Sequence, residues 1–178
     1  MSSGDKTTLA EGRFVRLVKL DPGGWEYVER VNASGVVVII ALTHEQRVVL
    51  VEQHRPPIGA RVIELPAGLA GDVSGEEDEP LARAAARELE EETGYRPGSV
   101  TTLFAGPPSA GLSDETVTFV RARELERVGP GGGDESEDIT VHEVAHDEVH
   151  AWLAERSAAG ALIDPKVYAG LYWLTHDF

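Results

Sequence analysis

The chain has 178 residues, 42% of them hydrophobic, with no cysteine and a formal net charge of −15. That length supports one full core and is short for two, and a cysteine-free sequence excludes disulfides and thiolate metal sites, leaving oxygen or imidazole ligands for any bound metal. The acidity repels polyphosphate backbones, so nucleic-acid polymers are excluded as expected partners, whereas a small diphosphate stays compatible if clustered carboxylates first collect divalent cations.

The opening residues, Met1 to Arg13, lack the basic-then-apolar order of a secretion signal, and no apolar run reaches bilayer length. The expectation is a cytoplasmic chain with no membrane partner. Arg13 to Lys19 and Trp25 to Arg30 alternate apolar and polar residues around Asp21-Pro22-Gly23-Gly24, which predicts a hairpin. Gly35 to Leu42 is a nearly continuous β-branched run, expected of a strand buried on both faces, and Arg47 to Gln53 reads as its antiparallel neighbour across His44-Glu45-Gln46. After Ile63-Glu64-Leu65 come Pro66-Ala67-Gly68 and a loop rich in glycine and acid, Gly71 to Asp78.

A helix is predicted next, with Pro80 suited to its first turn, Gly94 to its stop, and Leu81, Ala85 and Leu89 facing the core at four-residue spacing. Val100 to Ala105 and Glu115 to Arg121 read as strands separated by the turn-rich 106–111. Val128 to Asp138 reads as a flexible Gly/acid loop and Ile139 to Glu143 as a short strand. Helices are predicted over His146 to Ala158 and Lys166 to Leu174. The fold class is α/β: a mixed sheet with helices packed on its faces.

The informative stretch is Arg87-Glu88-Leu89-Glu90-Glu91-Glu92-Thr93-Gly94-Tyr95. Glu88, Glu91 and Glu92 stand at i, i+3 and i+4 and share one helix face, where like charges repel unless cations turn the crowding into coordination. Arg87 lies one turn before Glu91 and is placed to pair with it, while Glu90 points elsewhere. Acid-rich helices with Arg/Glu pairs are common on surfaces, so the helix alone says little. The longer spacing is specific: Glu79, seven residues, then Arg-Glu-aliphatic-x-Glu-Glu-x-Gly-aromatic, in a loop–helix context.

This pattern resembles the signature of the Nudix hydrolases, G-x5-E-x7-R-E-U-x-E-E-x-G-U with U bulky and apolar. Val73 stands where the signature has its first glycine, and Gly68 is the nearest substitute, which lengthens the loop. The likeness extends to the ADP-ribose pyrophosphatase branch through Trp25 to Arg30, Val51 to Arg55, Glu64 to Gly68, Ser109 to Glu115 and Glu135 to Ile139. The tail residues Gly160, Ile163-Asp164, Lys166 and Gly170-Leu171 resemble the branch as well. Ala110 replaces a proline usual in that branch.

The resemblance implies a Nudix α/β/α sandwich over 34–178, preceded over 1–33 by a small β extension that mediates homodimerisation. It implies that the Ala67 carbonyl, Glu88 and Glu92 bind Mg2+, with Mn2+ as a possible substitute. Glu91 would be a ligand or support, and Glu137 would join from the loop. Glu135 would be the general base, with Arg87 holding Glu91. Arg55 would clamp phosphate oxygens, Glu115 would help position substrate, and Trp25 would stack on adenine. His142, His146 and His150 form no catalytic constellation. The implied reaction is hydrolysis of ADP-ribose to AMP and ribose 5-phosphate. Two alternatives stay open: a pyrophosphatase preferring GDP-mannose or ADP-glucose, and a non-catalytic Nudix module that senses a nucleotide.

Overall fold

The computed structural model describes residues 4–31, 33–72, 75, 77–133 and 137–176. Its leading part is a three-stranded antiparallel sheet of β1 (Asp5–Glu11), β2 (Val15–Asp21) and β3 (Trp25–Arg30), in the order β1-β2-β3. The β2–β3 hairpin turns where the sequence predicts it, with Leu20 opposite Trp25. The first strand was not foreseen, because all seven of its residues are exposed and carry no burial pattern.

Two four-stranded sheets follow. One joins β4 (Gly35–Ala41), β7 (Ala67–Ala70), β9 (Ser99–Gly106) and β10 (Val117–Arg123) in the order β7-β4-β10-β9. The other joins β5 (Arg47–Arg55), β6 (Ala60–Glu64), β12 (Ile139–Ala145) and β13 (Leu162–Ile163) in the order β12-β5-β6-β13. Both are mixed: β4 runs parallel to β10 and antiparallel to β7, and β6 runs parallel to β13. A two-stranded ribbon pairs β8 (Tyr95–Arg96) with β11 (Glu126–Arg127).

The expected pairing of Gly35–Leu42 with Arg47–Gln53 is corrected here. The two runs pair only at an isolated bridge, Leu42 to Val48, and then diverge into separate sheets. Burial explains the divergence. Along β4, Val38 and Ile40 enter one core cluster while Val37, Ile39 and Ala41 enter the other, and on β5 Val48 and Leu50 oppose Val49 in the same way. Each strand therefore needs cover on two faces, and each fully buried aliphatic side chain contributes roughly 1.5–3 kcal/mol.

Helix α1 (Leu81–Thr93) packs its Ala84, Ala85 and Leu89 into the cluster with Val37, Ile39 and Val120. Helices α2 (Val149–Ala158) and α3 (Pro165–Thr175) supply Val149, Leu153, Val167 and Leu171 to the other cluster. The layering is helix, sheets, helices. Among the described residues no helix is long and apolar enough to cross a membrane.

Helix α1 begins after Pro80, whose extended backbone (φ −63°, ψ 137°) suits the residue preceding a helix. It stops at Gly94, with φ 76° and an N–H donating to the Glu90 carbonyl at 2.9 Å. The Gly/acid loop expected over Val128 to Asp138 forms no helix or strand over 128–133 and 137–138, 134–136 lying outside the described residues, and its first part closes this helix end. Val128 N–H donates to Gly94 O at 2.8 Å, Gly132 N–H to Glu92 O at 2.8 Å and Gly133 N–H to Glu91 O at 3.1 Å. A Cβ at Gly131 would stand 2.4 Å from the Thr93 carbonyl carbon, so only glycine lets the two backbones approach.

Candidate active site

One cleft, with a cavity volume of 680 Å³, gathers most of the residues singled out from sequence. Its walls include Ala67, Glu88, Glu91 and Glu137, together with Arg55 and Glu115. Arg30, Glu64 and Lys166 also line it, and the sequence reading gave them no role. Trp25 does not line it: that ring is 60% exposed on β3 of the leading sheet. Glu135 and Val73 lie outside the described residues.

The acid face of α1 is graded in depth. Glu92 is 3% exposed, Glu88 is half-buried, and Glu91 is exposed. Glu90, as expected, turns away and pairs with Arg96. Glu92 accepts a hydrogen bond from the Ala67 N–H at 3.1 Å, which ties α1 to the start of β7. Burial pushes the Glu92 carboxyl well above the usual carboxylate range; the Ala67 N–H opposes this, and Glu88 and Glu137 reinforce it. Burial likewise raises Glu88 to about 7, opposed by Arg87 and reinforced by Glu91.

Arg87 does more than the predicted pairing with Glu91. Its Nη1 donates to Glu88 at 2.9 Å and to Glu91 at 3.3 Å, while Nη2 donates to Glu79 at 3.1 Å, to the Leu69 carbonyl at 3.0 Å and to Asp72 at 3.4 Å. Burial would lower the Arg87 pKa, but Glu79, Glu88 and Glu91 outweigh it and raise it. Glu79, the first acid of the spaced pattern, is buried and meets this guanidinium from the residue run before the helix.

The donor set fits a divalent cation in its chemistry. Ala67 offers a main-chain carbonyl, Glu88, Glu91, Glu92 and Glu137 offer carboxylates, and all are hard oxygen donors. Burial that disfavours the charged forms of Glu88 and Glu92 is an expense that a cation would offset. Gly68 leaves room for one of them, because a Cβ there would stand 1.9 Å from the Glu88 Cδ and would push that carboxylate from its observed place. Among the described residues, no three acids or histidines converge on one point as a closed cage, since Arg87 engages Glu88 and Glu91 while Glu92 is held by Ala67.

Cations enter the same cleft from other elements. Arg55, at the end of β5, donates from Nε to Glu64 Oε1 at 3.0 Å and from Nη2 to Glu64 Oε2 at 2.5 Å, and the Glu64 hydrogen bond raises its pKa. Arg30, at the end of β3, donates from Nε to Glu115 at 2.7 Å. Main-chain bonds hold β3 against the segment before β10: Val28 N–H donates to Leu112 O at 2.8 Å and Asp114 N–H to Val28 O at 3.4 Å. Lys166, in the first turn of α3, pairs with Asp164, whose side chain also accepts the Lys166 N–H at 2.8 Å. Arg30 and Lys166 stand next to turns in sequence, and only the fold brings them to the acids of α1.

The histidines stay apart from this site. His142 bonds through Nε2 to Glu52 at 2.8 Å and tilts against Trp152, so it is a packing residue. Glu52 is buried, and burial raises its pKa, but His142 and Arg156 outweigh that and lower it.

The NUDIX domain family matches residues 32–164. A methanol dehydrogenase activator of Bacillus methanolicus is 35% identical over 153 residues, covering 83% of this chain and 80% of that protein. An ADP-ribose pyrophosphatase of Bacillus subtilis is 36% identical over 149 residues, covering 83% of this chain and 78% of that protein. A solved structure of an ADP compounds hydrolase superimposes with a TM-score of 0.62 at 20% identity, covering 84% of this chain and 82% of that one, and so shares the fold. The spaced acids on α1, the helix-flanked mixed sheets and the family match over residues 32–164 agree: the chain belongs to the Nudix family.

Proposed function

We propose that this Nudix pyrophosphohydrolase cleaves the diphosphate of a nucleoside diphosphate linked to a sugar, with ADP-ribose as its substrate and AMP and ribose 5-phosphate as products. One observation carries the reading: a single 680 Å³ cleft holds the acids Glu88, Glu91 and Glu137 together with the cations Arg30, Arg55 and Lys166. Cations meet diphosphate oxygens directly, and carboxylates meet them through a metal ion. The relative described as an ADP-ribose pyrophosphatase supports the choice of substrate.

In this reading Mg2+, or Mn2+ in its place, is held by the Ala67 carbonyl, Glu88, Glu92 and Glu137, with Glu91 as ligand or support. When bound, it neutralises the diphosphate and polarises the attacked centre. Arg55 grips phosphate oxygens with its planar fork, and Glu115 positions the substrate. Arg87 fixes the directions of Glu88 and Glu91. Glu135 takes the proton as water oxygen bonds to phosphorus and the bridging P–O bond breaks.

The leading sheet is the dimerisation element in the same reading. Leu9, Phe14, Val15, Leu17 and Trp25 are exposed on it, and a second copy would cover apolar surface that otherwise faces water. Trp25 would then reach the adenine of the partner's cleft, offering a flat aromatic face. Light scattering of the purified protein should report a dimer.

Incubation with ADP-ribose and Mg2+, followed by chromatography, tests the activity. AMP and ribose 5-phosphate in equal amounts are expected, and chelation should stop their release. Turnover of GDP-mannose or ADP-glucose equal to that of ADP-ribose would defeat the specific choice of ADP-ribose. The relative described as an activator favours a second reading, a nucleotide-sensing module that acts on another enzyme. Tight binding of ADP-ribose with no product in either metal would establish that one.

A further inference from the structure

The geometry points to Glu64 as the positioning residue for the diphosphate: through Arg55 it fixes which edge of a guanidinium faces the substrate. This rests on the diphosphate-cleaving reading above and adds a residue to it. Arg55 is the last residue of β5 and is followed by Pro56-Pro57. Its side chain is 42% exposed, so on its own it would sample many rotamers above the cleft.

Glu64 removes that freedom. It is the last residue of the neighbouring strand β6, and only 7% of its surface is exposed. Its carboxylate takes the Nε/Nη2 edge of Arg55 side-on, with contacts at 3.0, 3.1 and 2.5 Å. Gln53, buried two residues before Arg55 on β5, donates to Glu64 Oε2 at 3.3 Å and keeps the carboxylate from turning. A guanidinium has two bidentate edges, and with one bound to Glu64 the Nη1/Nη2 edge is the one left to meet two oxygens of a diphosphate.

The burial of Glu64 gives the arrangement its direction. A carboxylate sunk between strands cannot follow a mobile guanidinium, so the arginine conforms to it. Substrate then meets a fork whose orientation was set on folding, and less entropy is lost on binding. Asp164 and Lys166 border the same corner. Asp164 adds to the raised pKa of Arg55, and Lys166 lines the cleft beside it, so the corner holds two cation tips anchored by separate carboxylates.

The test is a kinetic cycle on the full chain with ADP-ribose. Glu64→Gln keeps the volume and the contact with Gln53 but removes the charge that holds Arg55. The expected result is a KM raised about tenfold or more with kcat changed less than about threefold, as for a lost charge-assisted contact. Made in an Arg55→Ala background, the same substitution should have no further effect on KM. An unchanged KM, or an equal loss in both backgrounds, overturns the proposal. If Glu64→Gln does not fold, Glu64→Asp keeps the charge, withdraws it by one methylene, and should still raise KM.

Calorimetry with inorganic pyrophosphate separates this proposal from the substrate reading. Should the unsubstituted protein fail to turn over ADP-ribose, weaker pyrophosphate binding by Glu64→Gln would still support the role of Glu64. Equal binding by the two proteins, or none by either, overturns it.

Discussion

Arg87 and Glu79 meet at 3.1 Å through Nη2 and Oε2, and the Glu79 side chain keeps no exposed surface. The pair joins the run before α1 to its second turn, and through the Leu69 carbonyl Arg87 also reaches β7. Without Glu79 the guanidinium keeps Glu88, Glu91 and Asp72 but loses its one fully enclosed carboxylate. Glu79→Ala should cost about 1.5–3 kcal/mol, the range for a hydrogen bond between charged groups. Urea unfolding would measure it, and a loss near zero would contradict the structural role given to Glu79.

Glu92 lies deep, hydrogen-bonded to Ala67, and burial disfavours its charge. Glu92→Gln preserves the shape and relieves repulsion from Glu88 and Glu137. Turnover should fall by about a hundredfold or more, in line with losses at metal-binding groups, while the melting temperature holds or rises. Wild-type rates in this variant would remove Glu92 from the metal set.

Gly68→Ala should separate activity from stability. The added methyl would overlap the end of the Glu88 side chain, which can swing aside. The unfolding free energy should therefore change by no more than about 1 kcal/mol, at the low end of overpacking penalties. Displacing the Glu88 carboxylate should nevertheless lower kcat/KM by about 10- to 100-fold. Parallel melts and kinetics on one preparation decide the matter, and unimpaired kinetics would mean that Glu88 does not need its observed place.

Acid should loosen the leading sheet. Glu29 is buried among Lys6, Tyr27 and Arg16, and the hydrogen bond from Lys6, then that of Tyr27, outweighs burial to lower its pKa from 4.5 to about 2. A carboxylate depressed in the folded state stabilises the fold above its unfolded pKa, and that contribution fades as pH falls through 4.5 toward 2. Compared with Glu29→Gln, the wild-type protein should lose its advantage in amide protection of β1–β3 over that window. A constant difference from pH 6 to pH 2 would contradict the assignment.

How much of this was legible in the sequence depended on range. Helix α1 announced itself through Pro80, Gly94 and the four-residue spacing of Ala85 and Leu89, since capping and helical period are local. The double burial of β4 was legible from its β-branched run. Its neighbours were not, because Val117 pairs with Val36 from a distant part of the chain and a hydrophobic run carries no address. At Gly131 the glycine has a specific cause that composition does not reveal: a Cβ there would stand 2.4 Å from the Thr93 carbonyl carbon, because the loop backbone closes on the end of α1. In the site, the contact of Arg87 with Glu91 followed from i,i+4 spacing. Arg30 could not be foreseen, since its partner Glu115 is 85 residues away and each is ordinary in its own neighbourhood.

Arg30 also bears on how such chains can be recombined. It belongs to β3, ahead of the segment that matches the family, yet it borders the cavity and grips Glu115. Inheritance and chemistry thus draw their borders in different places. A chimera that borrows its opening strands from a cousin must import a guanidinium at this corner, or Glu115 will turn an unanswered negative charge toward the phosphates it is meant to welcome.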